Sequence, residues 1–229
     1  MLRKGAFFMI IGICGWAGTG KDTAANYLVG WHGFRRDSFA GALKDAVAAV
    51  FGWDRELLEG STLESRIWRE TVDPWWSQRL GRPQLTPRWI LQQWGTEVCR
   101  KSFHDDIWIA ALENRLRTRT GHTVISDVRF PNEIAAIRRA GGVCVWVQRG
   151  ELPEWYDCAY TENTTPDDRQ WLLEDAYQLM PQKYPTVHQS EWVWIGTKFD
   201  AVVDNNGTVE QMHEQIKNLL LNQQASSPV

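Results

Sequence analysis

No stretch of this chain is long and apolar enough to cross a bilayer. The N-terminal apolar run, Phe7 to Cys14, falls well short of the ~20 apolar residues a spanning helix needs. It has no small-residue cleavage pattern either, so no targeting segment and no membrane partner are expected. Cysteine is sparse, with four residues at Cys14, Cys99, Cys144 and Cys158 and no Cys-x-x-Cys pair. That argues against a disulfide frame or zinc site; Cys14 and Cys144 sit in strand-like apolar runs and read as reduced, buried thiols of a cytoplasmic protein. There is no excess of basic charge: the formal net charge is -3, which excludes an overall electrostatic footprint for a nucleic acid polymer. Internal repeats are absent. What remains is a chain of 229 residues, long enough for one domain with a sizeable core, and unusually rich in tryptophan, with 14.

The informative stretch is Ile11 to Leu28. An apolar strand runs into Gly15-Trp16-Ala17-Gly18-Thr19-Gly20-Lys21-Asp22-Thr23, and Ala24, Ala25, Tyr27 and Leu28 continue at helical spacing. Strand, glycine-rich turn, lysine, helix is the order of a phosphate-binding loop. Glycines let successive backbone N–H groups point inward at phosphate oxygens, and the helix that follows offers its free N–H groups to the same anion. Lys21 adds a mobile cation for the outer phosphates. The Gly15-x4-Gly20-Lys21 spacing fits the motif, but the Ser/Thr that normally follows the lysine is Asp22, with Thr23 one place later. Either Thr23 does the hydroxyl's work on Mg²⁺, or Asp22 holds the metal through a water.

Along the chain, Phe34 to Phe39 reads as a short second strand and Gly41 to Phe51 as a helix. Trp53 to Leu85 is charged, Trp-rich and broken by Asp73-Pro74, Gly81 and Pro83, hence an irregular insertion with short helical pieces. Thr86-Pro87 caps a helix towards Phe103 with a break near Gly95, and another starts at His104-Asp105-Asp106 and ends near Gly121. His122 to Ser126 is a strand with Asp127 at its end; Pro131 to Ala140 is a helix; Val143 to Val147 is a strand followed by Arg149. Glu151 to Gln189 is acidic and proline-punctuated, a flap with a helical piece near Gln170 to Leu179. Phe199 to Val203 is the last strand, and Thr208 caps a final amphipathic helix. Alternating strands and helices, several strands apolar throughout, predict an α/β fold with a parallel sheet covered on both faces. Ligands should then collect at the carboxyl ends of the strands, where Gly15 to Thr23, Asp127 to Arg129 and Arg149 fall. Most tryptophans read as packing; Trp75, Trp76, Trp94 and Trp108 are the candidates to stack on a ligand.

Six short motifs, in order, carry a resemblance: Gly20-Lys21-Asp22-Thr23; Ser38-Phe39-Ala40 with Leu43-Lys44; Thr86-Pro87-Arg88 leading to Gln93-Trp94-Gly95-Thr96-Glu97 and Arg100; Asp127-Val128-Arg129-Phe130-Pro131-Asn132-Glu133; His188-Gln189-Ser190-Glu191; and Asp204-Asn205-Asn206-Gly207. The set resembles the phage-type deoxynucleoside monophosphate kinases, over most of the chain except the Trp53–Leu85 insertion and much of Glu151–Val187. The resemblance implies transfer of a phosphoryl group from ATP to a deoxynucleoside monophosphate, with Mg²⁺. It also implies a five-stranded parallel sheet with an acceptor-binding arm and a lid. On that basis the chain is one kinase domain: a core of about 5–52, 122–150 and 190–222, an arm with insertion at about 53–121, a lid-like segment at about 151–189, and a disordered tail at 223–229. If the gene is a phage's, the enzyme works in the host cytoplasm, and exposed tryptophan patches would permit a homodimer.

The chemistry asks for cations and a metal site and for no general base, because an acceptor monophosphate is already anionic. ATP is expected on Gly15, Ala17, Gly18, Thr19, Gly20, Lys21, Asp22 and Thr23. Lys21, Asp127, Arg129 and Arg149 are the catalytic candidates. Asp127 resembles the acid that orients Mg²⁺ beside Asp22 or Thr23. Arg129 reads as a phosphate clamp, or else as the ion-pair partner of Glu133. Lys44, Arg88 and Arg100 are candidates for the acceptor phosphate together with Arg129, and Gln93, Thr96 and Glu97 for its base or sugar. Arg149 and Arg169 would charge a closing lid. The loop alone does not separate this activity from a kinase for another phosphorylated acceptor, of the phosphomevalonate or dephospho-coenzyme A type, or from an ATPase with water as acceptor.

Overall fold

The structure is a computed structural model and describes residues 8–166 and 179–225. Phe7, Arg169, positions 170–178 of the expected flap helix and the last residues of the tail, from 226, lie outside the described residues. In chain order the elements are β1 (Ile10–Cys14), α1 (Lys21–His32), β2 (Arg35–Asp37), α2 (Gly41–Phe51), α3 (Leu63–Glu70), α4 (Pro74–Arg79) and α5 (Pro87–Gln92). A π-helix (Gln93–Phe103) follows, then α6 (Ile107–Thr118), β3 (Thr123–Val128), α7 (Pro131–Arg139), β4 (Val143–Gln148), α8 (Tyr156–Thr164), α9 (Leu179–Lys183), β5 (Ala201–Asp204) and α10 (Val209–Ala225). They form two compact units, Met1–Arg36 with Thr120–Val229, and Asp37–Arg119.

The first unit is built on a five-stranded sheet in the order β2-β3-β1-β4-β5. β1 pairs in parallel with β3 and β4, and β4 with β5, so this is the parallel α/β sheet expected. Side chains alternate across β1 as a strand's period of two requires. Ile11 and Ile13 pack with Ala24, Ala25 and Leu28 of α1 and with Met212, Ile216 and Leu219 of α10. Gly12 faces Ile137 of α7 on the other side. Each of those isoleucines, 1% exposed, is worth roughly 1.5–3 kcal/mol of burial. Cys14 and Cys144 are free and buried, and burial pushes the Cys144 thiol up to about 12, the chemistry of packing residues.

The elements differ from the sequence reading at several places: β2 keeps only Arg35–Asp37 of the expected Phe34–Phe39 strand, and α6 runs Ile107–Thr118 inside the expected span from His104 to near Gly121. Asp127 lies inside β3, with Val128 as the last strand residue, because β3 continues to pair with β1 at Cys14–Val128. Phe199 precedes β5, which begins at Ala201. The 151–166 stretch contains α8, whose nine residues bury only Ala159 and so show no apolar stripe to read.

The second unit has its own core of Leu43, Val47, Phe51, Leu58, Leu85, Ile90 and Trp108. Its helices start where caps stand. Thr62 caps α3, Asp73 accepts from the Trp76 amide at 2.9 Å ahead of Pro74, and Thr86 accepts from the Trp89 amide at 3.2 Å ahead of Pro87. Asp37, with a side chain 7% exposed, pairs with Arg115 and Arg119, and Arg115 Nη2 donates to the Ser38 carbonyl at 2.7 Å. That network fixes the Ser38-Phe39-Ala40 turn into α2. The break expected near Gly95 is instead the start of wider winding: α5 passes directly into the π-helix.

Candidate active site

The register of the sheet brings the site together. Cys14 lies level with Val128 and Trp146, and Gln148 with Asp204. The segments leaving those strands therefore emerge at one edge: Gly15–Gly20, Arg129–Phe130, Arg149–Gly150 and Asn205–Gly207. Ligands of open parallel sheets bind at that edge.

The loop between β1 and α1 is held by contacts far apart in sequence. Gly15 stands at φ 145, and a Cβ there would lie 2.5 Å from the Val147 carbonyl oxygen. Gly20, at φ 99, would drive a Cβ into the Asn205 amide, which donates from Nδ2 to the Thr19 carbonyl at 2.8 Å. Glycine is therefore required at both positions. The Trp16 carbonyl accepts from the Thr19 amide at 3.4 Å, the Thr19 hydroxyl at 3.0 Å and Lys21 Nζ at 2.5 Å. Gly20 is the N-cap of α1 and has no side chain to cap it, so the first N–H groups of the helix remain donors for an anion.

Trp16 is the loop's anchor. It is buried, and its ring meets Trp146, Trp155, Tyr156 and Trp194 at centroid distances of 5.2 to 6.2 Å. Its Nε1 donates to the Glu191 carbonyl at 3.0 Å, in the short 3-10 turn Gln189–Glu191. That turn brings the Glu191 carboxylate onto the guanidinium of Arg129. Glu133 is not the ion-pair partner the sequence offered for Arg129. Its buried carboxylate accepts the backbone amides of Arg129 at 2.8 Å and Phe130 at 3.1 Å, capping α7 and leaving the Arg129 side chain to the rim.

Lys21 and Arg129 are close enough to repel. Burial, and then the Arg129 charge, lower Lys21 to about 8, with Glu191 and Asp22 acting in the opposite direction. Lys21 and Arg129 thus stand together beside the curled loop, with the Glu191 carboxylate acting on both, a place suited to an anion of higher charge. Asp22 is ion-paired to Arg36, whose guanidinium also donates to Ser126 Oγ at 2.8 Å and Asn26 Oδ1 at 3.2 Å. Thr23 is exposed in the first turn of α1, and Asp127 is half-buried inside β3, one residue before its end. Arg149 is exposed just past β4, where the Gly150 amide donates to Asn206 Oδ1 at 2.7 Å.

The acceptor candidates other than Arg129 all lie in the second unit. Lys44 Nζ is 2.5 Å from Glu59 Oε2, with a side chain 13% exposed. Arg88 is 3.2 Å from Glu70 and half exposed. Gln93, Thr96, Glu97 and Arg100 share the π-helix, a winding often found at functional sites. Arg100 is 10% exposed and 3.9 Å from Asp105. Trp76, Trp94 and Trp108 are committed to that unit's packing: Trp76 Nε1 donates to the Phe51 carbonyl, Trp108 Nε1 to the Gly95 carbonyl, and Trp94 packs on Phe51. Trp75 is exposed.

Arg36 and Trp16 were not singled out from sequence, and Asn205 and Glu191 carried no role of their own. Two adjacent arginines inside a strand were the only local signal for Arg36. The other three act through contacts 175, 186 and 62 residues apart, which no local pattern shows.

No family model matches the chain. Its sequence is homologous to two viral proteins. A protein of Acanthamoeba polyphaga mimivirus, provisionally named a deoxynucleotide monophosphate kinase, is 28% identical over 222 residues, covering 91% of this chain and 94% of that protein. The deoxynucleoside-5'-monophosphate kinase of Escherichia phage T5 is 26% identical over 179 residues, covering 57% of this chain and 72% of that enzyme. Among solved structures, a shikimate kinase from Aquifex aeolicus matches at a TM-score of 0.42 and 13% identity, over 96% of this chain and 100% of that one. Likeness at that level says nothing of an acceptor.

Proposed function

We infer that this chain is a deoxynucleoside monophosphate kinase: it moves the γ-phosphoryl group of ATP to a deoxynucleoside 5'-monophosphate. The homology over nine-tenths of the chain supports the reading. The single structural observation that carries it is the meeting of a curled glycine loop, Lys21 and Arg129 at one sheet edge.

An oxygen of the acceptor phosphate attacks the γ-phosphorus of ATP, the bond from that phosphorus to the bridging oxygen breaks, and ADP leaves. No proton has to be removed from the acceptor, so the protein's work is positioning and charge. The loop amides and the N-terminus of α1 hold the donor phosphates. Lys21, protonated below about pH 8, exchanges the Trp16 carbonyl for a phosphate oxygen. Arg129 exchanges Glu191 for the transferring group, where its planar fork spans two oxygens. Arg149, at the start of the 151–189 segment, adds charge from the same edge.

Mg²⁺ takes few protein oxygens and keeps waters and substrate phosphates as ligands. Among the described residues no group of three or more His, Cys, Asp or Glu side chains could hold a metal by itself, which suits such an ion. The Thr23 hydroxyl and the Asp127 carboxylate are hard oxygen donors of the right kind, and the Asp22–Arg36 pair leaves Thr23 the better placed of the two loop candidates. When bound, the metal neutralises charge on the donor phosphates. Lys44, Arg88, Gln93, Thr96 and Arg100 are assigned to the acceptor. A coupled ADP-release assay with ATP, Mg²⁺ and each deoxy- and ribonucleoside monophosphate in turn tests the reading. Turnover should depend on a deoxynucleoside monophosphate; ATP turnover indifferent to every monophosphate would make the chain an ATPase.

A further inference from the structure

We propose that Trp16 is a positioning residue for phosphoryl transfer: through Glu191 it sets where the Arg129 guanidinium stands relative to the loop and Lys21. This rests on the kinase reading and deepens it with a residue whose type the phosphate loop does not prescribe. Position 16 is the first of the four open places in Gly15-x4-Gly20-Lys21, and the motif asks only for its backbone. The side chain there is nevertheless a tryptophan, 8% exposed. Its ring stands edge-on to Trp146 of β4 and to Trp155 and Tyr156 at the start of α8, and tilted on Trp194. Any large aromatic ring could satisfy that packing. The indole N–H is what packing does not call for, and once buried it needs an acceptor. It donates to the Glu191 carbonyl at 3.0 Å.

Glu191 closes a 3-10 turn of three residues, Gln189–Glu191, too short to be stable on its own hydrogen bonds. α8 ties the chain just beyond it: Asn163 Nδ2 donates to the Trp192 carbonyl at 2.8 Å and the Ile195 carbonyl at 2.9 Å. The Trp16 indole ties Glu191 itself, from 175 residues away. From that fixed backbone the Glu191 carboxylate reaches Arg129, and each side chain of the pair is 29% exposed.

The other polar end of Trp16 is its backbone carbonyl, which receives Lys21 Nζ at 2.5 Å. One residue therefore stands between the two cations, bonded directly to Lys21 and, through Glu191, to Arg129. Both cations must meet the same transferring group, so a displacement of one relative to the other costs turnover. A phenylalanine at position 16 would keep a ring among its aromatic neighbours. It would leave the Glu191 carbonyl without this donor and the carboxylate without a fixed place from which to hold Arg129.

The test is steady-state kinetics of the full chain, Trp16→Phe, Glu191→Gln and the double variant, with ATP and each deoxynucleoside monophosphate varied separately. Trp16→Phe should lower kcat about three- to tenfold, the size of one lost hydrogen bond, and leave both KM values within about twofold. In the Glu191→Gln background, where no carboxylate is left to place, the same substitution should change kcat less than about twofold. A kcat unmoved by Trp16→Phe, a loss carried by the KM values, or losses that multiply in the double variant would make Trp16 a packing residue and overturn the assignment. Hydrogen exchange of the Trp16 indole N–H, followed by NMR, decides the matter if the phenylalanine variant does not fold. Coupling between two contacts is reciprocal, so Arg129→Ala should speed that exchange at least about threefold; an unchanged rate would overturn the link. A wild-type chain that phosphorylates no monophosphate would overturn the kinase reading and the role in transfer with it, while the exchange rates would still show whether Trp16 holds Glu191 for Arg129.

Discussion

Lys21 is a cation where burial opposes charge, and that sets two pH dependences of opposite sign. An ordinary lysine holds its proton to about 10.5; Lys21 in the folded, ligand-free protein holds it to about 8. Between these values the unfolded chain binds more protons than the folded one, so stability should rise with pH across that window. Bound triphosphate favours the charged form, so ATP affinity should fall over the same window. Thermal melts and calorimetric titrations from pH 7 to 10 check both, and Lys21→Met should flatten both. That variant should also lose on the order of 10³-fold in turnover without losing the fold; activity near wild type would remove the loop from the mechanism. Arg129→Ala should lower kcat by about 10²–10³-fold, as loss of a clamp on the transferring group does. A change confined to melting temperature would leave Arg129 a mere partner of Glu191. Lys21 and the glycines were legible because a phosphate loop is a local motif whose backbone demands specific residue types. Arg129 was legible as a cation, but its partner was not, because Glu133 is four residues away and Glu191 sixty-two.

The elements position these residues through the ends of strands. β1 and β3 stop level with one another, β4 runs two residues further to stop level with β5, and the loop is pinned from β5's side by Asn205. Asn205 is 9% exposed and its backbone amide also donates to the Gln148 carbonyl at 2.8 Å. Asn205→Ala should leave the Thr19 carbonyl unsatisfied, at a cost of roughly 1–3 kcal/mol. It should raise KM for ATP more than KM for the monophosphate, as measured by the same kinetics with a denaturation curve alongside. An unchanged KM for ATP would mean that the loop keeps its shape without the clamp. Strand and helix order was readable because apolar runs and the 3.6-residue stripe are local signals. The π-helix was not: Gly95 inside a helical pattern reads as a break, whereas Trp108 Nε1 satisfies its carbonyl and Leu43 fills the space a side chain would take. α8 was hidden for a different reason. It is held by aromatic contacts of Trp155 and Tyr156 with Trp16 and Trp146, and these come from the rest of the fold.

At the scale of the whole chain, two units with separate cores divide the work proposed here. The sheet unit carries the glycine loop, Arg129 and Arg149, and the helical unit carries Lys44, Arg88 and Arg100. No helix among the described residues is long and apolar enough to cross a membrane. The most direct test of the central claim is transfer of label from γ-phosphate-labelled ATP, with Mg²⁺, to each of the four deoxynucleoside monophosphates, resolved by product. The account predicts labelled deoxynucleoside diphosphate from at least one of them, and none from the Lys21→Met variant. Label released only as inorganic phosphate, at a rate no monophosphate changes, would contradict it.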